Sequence, residues 1–536
     1  MSGIRSGPGA RATGPDASRP EAAHPDAAQL AALGYESEFR RDMSPWANFS
    51  LGFTYLSPVV GVYTLFASSL AAGGPAMIWS LFLVGAGQLL VALVFGEIVS
   101  QYPVTGGLYP WARRLWGRKW AWLTGWVYAI ALLVTIASVT YGAGPYLAAL
   151  LGLHPSTDTT ILCALAMIVL ATAINLGGTR ALGVAAITGF TTEILGALAV
   201  GGWLLATQRQ HDLGALFDTA GTGAHGGHGS YLGAFLAAGL IGIFQYYGFE
   251  ACGDVAEEVP DPSRRIPKAM RMTIYVGGAA ATFVCLALVL AVPDFHAVVS
   301  GADSDPVSGV LHRAFGEVGS RVVLAVVLVS FLSCALSLQA AAGRLLYSYA
   351  RDRMLPGSRL LSRFSRARGV PPATLLVAAV VPALVVLASR VSENAVTKII
   401  SFAVLGIYLG FQMVVLAALR ARFKGWRPAG AFTLGRWGFA VNAAALAYGV
   451  AAMVNLVWPR TPGAPWYDDY LTLLSGAVVV GTGLVLLAVL RPYRHSGAAA
   501  GDAASTSAAA GAVEVPPGTT PPGTTETETD THAERN

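Results

Sequence analysis

The chain reads as an all-α integral membrane protein with twelve transmembrane helices, and three observations predict this. Of 536 residues, 54% are hydrophobic and only 12% are charged, with a mean hydropathy of +0.56, a composition that excludes an ordinary soluble globular chain. Twelve apolar segments each reach the length needed to cross a hydrocarbon core, about 20 residues. Lys and Arg gather in alternate loops, as they do when basic residues are retained on the cytoplasmic side.

Residues 1–43 precede the first span and are rich in Ala, Gly, Pro and charge. They carry no apolar stretch that resembles a cleavable signal and read as a disordered cytoplasmic tail. The spans follow near 46–69, 75–99, 119–147, 159–177, 181–205, 232–258, 270–292, 320–346, 373–389, 396–419, 437–458 and 468–490. Together they make one membrane domain over 44–492. Residues 493–536 are poor in hydrophobics, hold a tandem Pro-Pro-Gly-Thr-Thr at 516–525 and end acidic, so they read as a second disordered cytoplasmic tail.

With the N-terminus inside, the inner loops carry Arg113, Arg114, Arg118 and Lys119, then Arg264, Arg265, Lys268 and Arg271. Later inner loops carry Arg351, Arg353, Arg359, Arg363, Arg366 and Arg368, then Arg420, Arg422, Lys424 and Arg427. The outer connections at 206–230 and 293–319 hold only Arg209 and Arg313. Both termini are therefore expected in the cytoplasm of a cell whose plasma membrane holds the protein. This asymmetry accounts for the net charge of +5 without a nucleic-acid partner. Cys163, Cys252, Cys285 and Cys334 fall inside spans without paired spacing and read as small apolar residues. His225 and His228 in a Gly-rich outer loop lack a third ligand, so no metal and no cofactor is assigned.

Two spans are broken at their centres, the first at Tyr55-Leu56-Ser57-Pro58-Val59-Val60-Gly61 and the sixth at Tyr246-Tyr247-Gly248-Phe249-Glu250. Every backbone N–H and C=O in a bilayer needs a partner, so interrupted helices persist where the freed groups face a cavity, a substrate or an ion. Breaks at matching places in two halves point to a transporter's midplane site. Five spans per unit would place the second unit upside down relative to the first, with the last two spans accessory. Ser57, Val59, Val60, Gly61, Tyr63, Tyr247, Gly248, Phe249 and Glu250 are the candidate substrate contacts, mostly through backbone. Proline and glycine taken singly merely kink many packed helices; the pairing of the breaks weighs against that reading.

Intramembrane acids are costly and so are functional candidates. Glu193 lies halfway along span five, where burial disfavours the ionised carboxyl and suits it to proton uptake; it is the candidate coupling residue. A structural alternative is a protonated Glu bonded to a neighbouring helix. Glu250 stands at the start of the inner half of span six, placed to bind a substrate amine, to link the site to the inner gate, or to cap the helix. Ser330, Ser333 and Ser337 of span eight share one region of a helix face and are candidates to line an ion site, or to serve helix packing. The rings at the two breaks suit an organic cation at about 0.5 to 2 kcal/mol each, or simple gating.

Three stretches carry a family resemblance. Gly96-Glu97-Ile98-Val99-Ser100-Gln101-Tyr102-Pro103-Val104-Thr105-Gly106-Gly107-Leu108-Tyr109-Pro110-Trp111 resembles the loop after span two of amino acid/polyamine/organocation permeases. Gly248-Phe249-Glu250, with Ala256 to Pro262 and Arg265-Ile266-Pro267, is similar to that superfamily's span-six break and following loop. Ser348-Tyr349-Ala350-Arg351-Asp352 with Leu355-Pro356 resembles the end of its span eight. Leu434-Gly435-Arg436-Trp437-Gly438, with Val441-Asn442 and Pro459, looks most like the amino acid/choline transporter branch.

The resemblance implies the leucine-transporter-like fold: ten core helices in a 5+5 inverted repeat with broken helices 1 and 6, plus two accessory helices, and alternating access to a central site. It also sets Glu193 where some relatives place a lysine that stands in for a sodium ion. One departure matters: Val62-Tyr63-Thr64 stands where many amino acid permeases carry a Gly-Ser-Gly run that clasps the substrate carboxylate, which argues against assuming a standard α-amino acid. The expected function is secondary transport, import of an amino acid or related amine by proton symport. The alternatives are an exchanger, a choline, polyamine or gamma-aminobutyrate transporter, and a membrane sensor that moves nothing. No nucleophile with its base, nucleotide loop or metal spacing points to an enzyme, and the oligomeric state is not readable.

Overall fold

The computed structural model describes residues 25–36, 38–154, 156–222, 231–390, 402–460 and 465–497. His225, His228, the first residues of the expected tenth span and the Pro-Pro-Gly-Thr-Thr repeats lie outside them. Among the described residues the chain is helical, with a lone β-bridge between Ser365 and Val370. Ten helices among the described residues are long and apolar enough to cross a membrane. Two shorter apolar helices, Tyr231–Gln245 and Pro372–Ala388, occupy the places of the expected spans six and nine.

We number α1 Pro25–Ala32, α2 Pro45–Leu56, α3 Pro58–Gly73, α4 Ile78–Gln101, α5 Leu108–Trp116, α6 Arg118–Leu150, α7 Thr157–Leu176 and α8 Thr179–Thr207. The second half gives α9 Tyr231–Ala238, α10 Leu240–Gln245, α11 Ala251–Asp254, α12 Pro262–Ala291, α13 Pro306–Arg351, α14 Pro372–Ala388, α15 Phe402–Phe423, α16 Gly438–Val457 and α17 Leu471–Leu490. Local chemistry sets many of these starts. Ser44 accepts the Ala47 N–H ahead of Pro45, and Ser156 accepts the Thr159 N–H, so first-turn donors are satisfied where the helix cannot do it. Proline opens α2, α3, α12, α13 and α14, where its missing N–H costs nothing. α13 runs for 46 residues but is bent at Gly316, whose φ of 64° and ψ of −168° are not helical.

Burial separates a centre from a rim. An apolar 18-residue stretch of α6 and one of α15 are each 78% buried, whereas that of α17 is 11% buried. Leu473, Val478, Leu484, Val485 and Val489 of α17 are exposed, an apolar surface suited to lipid. The broken pairs α2/α3 and α10/α11 pack against α4, α8, α12 and α13.

At the Arg-rich end, α13, α5 and the segment after α11 are joined by buried ion pairs. Arg344 Nε and Nη2 reach Glu258 Oε1 and Oε2 at 2.9 and 3.2 Å, and both side chains are fully buried. Arg351 grips Glu257 through two nitrogens at 3.0 and 3.1 Å, and Glu257 also accepts the Thr105 N–H at 3.1 Å. Tyr109 of α5 donates to Asp352 at 2.8 Å. The stretch after span two, read as a loop, holds the helix α5, and the left-handed pair Gly106 and Gly107 (φ 94° and 48°) turns the chain into it.

Part of the stretch assigned to the N-terminal tail lies along these pairs. Tyr35 donates to Asp352 at 3.2 Å and carries the Arg351 guanidinium over its ring at 4.2 Å. Arg41 donates to the Val259 carbonyl, and the Met43 N–H to the Glu258 carbonyl. Burial, with Asp352 alongside, pushes the Tyr35 phenol up to about 12, so it remains a hydrogen-bond donor at neutral pH.

Glu97 of α4 takes a salt bridge from Arg422 of α15 and the Leu434 N–H at 2.8 Å. It thereby ties α4 to α15 and to the chain leading into α16. Glu97→Ala strands a nearly buried guanidinium, and we expect a loss of about 3 to 5 kcal/mol of stability, read as a fall in the thermal midpoint of the purified protein.

Candidate functional site

The first break centres on Ser57, a non-glycine residue with φ of 40° and ψ of 90°. Pro58 cannot continue α2 but is well suited to begin α3. The first donor α3 has to offer is the Val59 N–H, and it is met by a carboxylate from another helix: Glu193 Oε1 of α8 accepts it at 3.0 Å. The same oxygen accepts the Ser57 hydroxyl at 2.7 Å, while the Val60 N–H makes a longer contact of 3.4 Å to Ser57 Oγ. Glu193 is completely buried, and its second oxygen takes no hydrogen bond from the described residues. An acid at a helix N-terminus is stabilised by the unpaired amides and the helix dipole.

The carbonyls freed at the end of α2 are also met from outside the helix. The Cys334 thiol of α13 donates to the Tyr55 carbonyl at 3.3 Å, and the Gln245 carboxamide of α10 donates to the Leu56 carbonyl at 3.2 Å. Thus the α2/α3 break is held by α8, α10 and α13 together.

The second break follows Gln245. Gly248 has φ of 114°, and its N–H donates to Glu250 Oε2 at 2.8 Å. Glu250 Oε1 accepts the Tyr128 hydroxyl of α6 at 3.0 Å. The Glu250 side chain therefore folds back onto the break, and it makes no capping bond to the first turn of α11.

Glycines bring the two breaks into contact. A Cβ on Gly248 would stand 2.6 Å from the Leu56 nitrogen, and one on Gly61 would collide with the Gln245 carboxamide. Lower down, Asn48 Nδ2 donates to the Cys252 carbonyl at 2.9 Å.

The structure brings Ser57, Val59, Val60, Gly61 and Glu193 to one break, and Tyr247, Gly248, Phe249 and Glu250 to the other. Tyr247 sits edge-on to Tyr55 at 6.0 Å, and Phe249 packs on Phe411 at 5.5 Å and Phe95 at 5.9 Å. Tyr63 is half-buried on α3. The three serines of α13 differ: Ser337 bonds Thr54 of α2 at 2.9 Å, Ser333 packs on Gly189 of α8, and Ser330 donates to Val326 of its own helix. Ser333 and Ser337 thus border the first break through Gly189 and Thr54.

Sequence reasoning missed Gln245, Tyr128 and Cys334. A polar residue beside the break marks Gln245. Tyr128 and Cys334 carry no such signal, since aromatic and small residues are common in any span.

A sequence profile described as amino acid permease matches residues 44–482. The amino-acid permease BAT1 homolog of Oryza sativa is 26% identical over 90% of this chain and 97% of its own length. The choline transporter of Saccharomyces cerevisiae is 24% identical over 83% of this chain and 80% of its own. A crystal structure of the Eremococcus coleocola manganese transporter superposes with a TM-score of 0.54 at 14% identity, covering 84% of this chain and 94% of that one. At that identity it speaks for the fold alone.

Gly248→Ala forces a side chain into a left-handed conformation against backbone. We expect a loss of roughly 3 kcal/mol or more, measured by thermal unfolding, whereas Gly202→Ala on α8, with open space around it, should be neutral or slightly stabilising.

Proposed function

Because the chain belongs to the amino acid permease family, we propose that it is a secondary transporter importing an amino acid or related amine across the plasma membrane by proton symport. The observation that carries this reading is the Glu193 carboxylate seated on the Ser57 hydroxyl and the Val59 amide. It joins a buried acid to the one place where the first membrane helix is interrupted. A proton arriving on the free Oε2 weakens Oε1 as an acceptor for both donors. The break then loosens from α8 and lets α2 and α3 move separately. Proton binding and the hinge are thereby one event, as coupling requires.

In this reading the twelve helices form two inverted five-helix repeats plus two accessory helices, with both termini and the Arg-rich end in the cytoplasm. Substrate lies between the breaks, against the backbone of Val59 to Gly61 and Tyr247 to Phe249, with Tyr63 and Glu250 at its edges. Ser330, Ser333 and Ser337 of α13 line a neighbouring ion site. The membrane domain spans 44–492, and the protein performs no covalent chemistry.

A second reading keeps the architecture and changes the solute. The α3 donors that a substrate carboxylate would use are taken by Glu193 and Ser57. Acceptors and rings dominate what remains: Gln245 Oε1 and Glu193 Oε2 take no hydrogen bond from the described residues, and Tyr55, Tyr247 and Phe249 stand nearby. That balance favours an organic cation, of the kind named for the yeast relative, over a free α-carboxylate.

Proteoliposomes separate the readings. With acid outside, the wild type should accumulate its substrate from a panel of amino acids, gamma-aminobutyrate, polyamines and choline. One proton per solute supports about tenfold accumulation per unit of pH difference. Glu193→Gln should lose this accumulation while retaining equilibration down a solute gradient. Undiminished pH-driven accumulation in Glu193→Gln would refute the coupling role, and transport that requires solute on the far side would identify an exchanger.

A further inference from the structure

Two buried side chains at the Arg-rich end, Asp254 and Arg344, keep polar atoms without a hydrogen bond from the described residues. Asp254 ends α11 fully buried, and neither carboxylate oxygen takes a hydrogen bond from the described residues. Arg344 of α13 spends Nε and Nη2 on Glu258, while its buried Nη1 has no acceptor among them. Asp254 and Glu258 are four residues apart, on a path that is helical at α11 and again, as a 3-10 turn, at Ala256–Glu258. One turn of that path therefore separates the acid that Arg344 holds from an acid that nothing holds.

The Gly106–Gly107 turn keeps them apart. Gly106 donates its N–H to the Asp254 carbonyl at 3.0 Å, and its own Cβ position lies 3.2 Å from the Arg344 carbonyl. A side chain on Gly107 would collide with Asp254 Oδ1. The charged groups acting on Asp254 are Glu250 from its own segment and Arg344 from α13. Tyr55 of α2 and Tyr128 of α6 are the titratable groups that feel it from the midplane side. A carboxylate in this place has a like charge nearby, no hydrogen-bond donor among the described residues, and an Arg344 that is already paired with Glu258.

We propose that Asp254 is a second proton-binding residue, one that belongs to the gate at the Arg-rich end. It holds a proton while Arg344 is paired with Glu258, and gives it up when Arg344 moves one turn to pair with Asp254. The step balances. A neutral Asp254 and a Glu258–Arg344 pair become an Asp254–Arg344 pair, a Glu258 carboxylate facing water, and one proton released to water. Opening of this gate is thus favoured by rising pH on its side, and no buried charge is left alone in either state. Thr179, which donates to Glu258 Oε2, loses its partner as the gate opens.

Hydrogen–deuterium exchange of the full-length protein in lipid nanodiscs, without added substrate, tests this directly. After correction for the intrinsic pH dependence of exchange, residues 251–258 of the wild type should open at least about fivefold more between about pH 6 and pH 9, the low end of coupling between linked sites. Asp254→Asn, which fixes the neutral form, should stay protected throughout. Asp254→Glu keeps a carboxyl and should keep a pH response. A flat wild-type profile overturns the proposal. So does a response that survives in Asp254→Asn, one that is lost in a folded Asp254→Glu, or one that vanishes with Glu193→Gln while persisting in Asp254→Asn. Because no solute is used, failure here leaves the transport reading untouched.

Discussion

A backbone amide in a bilayer has no water to turn to, and this constraint organises the whole molecule. The chain interrupts two of its helices and then has to meet each freed group from elsewhere. Glu193 and Ser57 meet the donors of α3, Cys334 and Gln245 meet the carbonyls of α2, and Glu250 meets the Gly248 amide. Each partner comes with its own helix attached. The interruptions therefore gather α8, α10 and α13 around themselves, and the proposed substrate site is a by-product of satisfying the backbone.

Glycine plays the complementary role. Gly61 and Gly248 have no side chain where one break touches the other, so a polar carboxamide and a helix end approach directly. A residue with a Cβ at either position would separate the breaks and leave Leu56 without its donor. The missing Gly-Ser-Gly run is a related case. With Val62 and Tyr63 in place of small residues and a glutamate already on the Val59 amide, the first break is furnished from within.

The breaks, the buried acid in span five and most of the membrane helices were readable from sequence because each breaks a strong local rule. Proline and glycine inside an apolar run, or a carboxyl at mid-span, violate expectations that need no tertiary context. The partners were not readable. Cys334 and Tyr128 act through where packing puts them, and a thiol or phenol in an apolar helix looks like filler. Glu250 shows both sides: an acid at the break stands out in the sequence, but its side chain folds back onto Gly248 and Tyr128 instead of capping α11. The motif after span two was recognised as a pattern, yet only the structure shows Gly106 and Gly107 turning the chain into a helix and resting against Asp254.

The N-terminal stretch has a mechanical meaning. Tyr35, Arg41 and Met43 are bonded to Asp352 and to the Val259 and Glu258 backbone, beside the ion pairs that close the Arg-rich end. Any opening of that end has to lift a strap made from the polypeptide ahead of the first membrane helix. In the proposed gate the strap adds its own hold to the closed state, so a pull on that stretch would act as a hand on the latch. The timing of the proposed cycle would in this way be exposed to events outside the bilayer that never touch the solute.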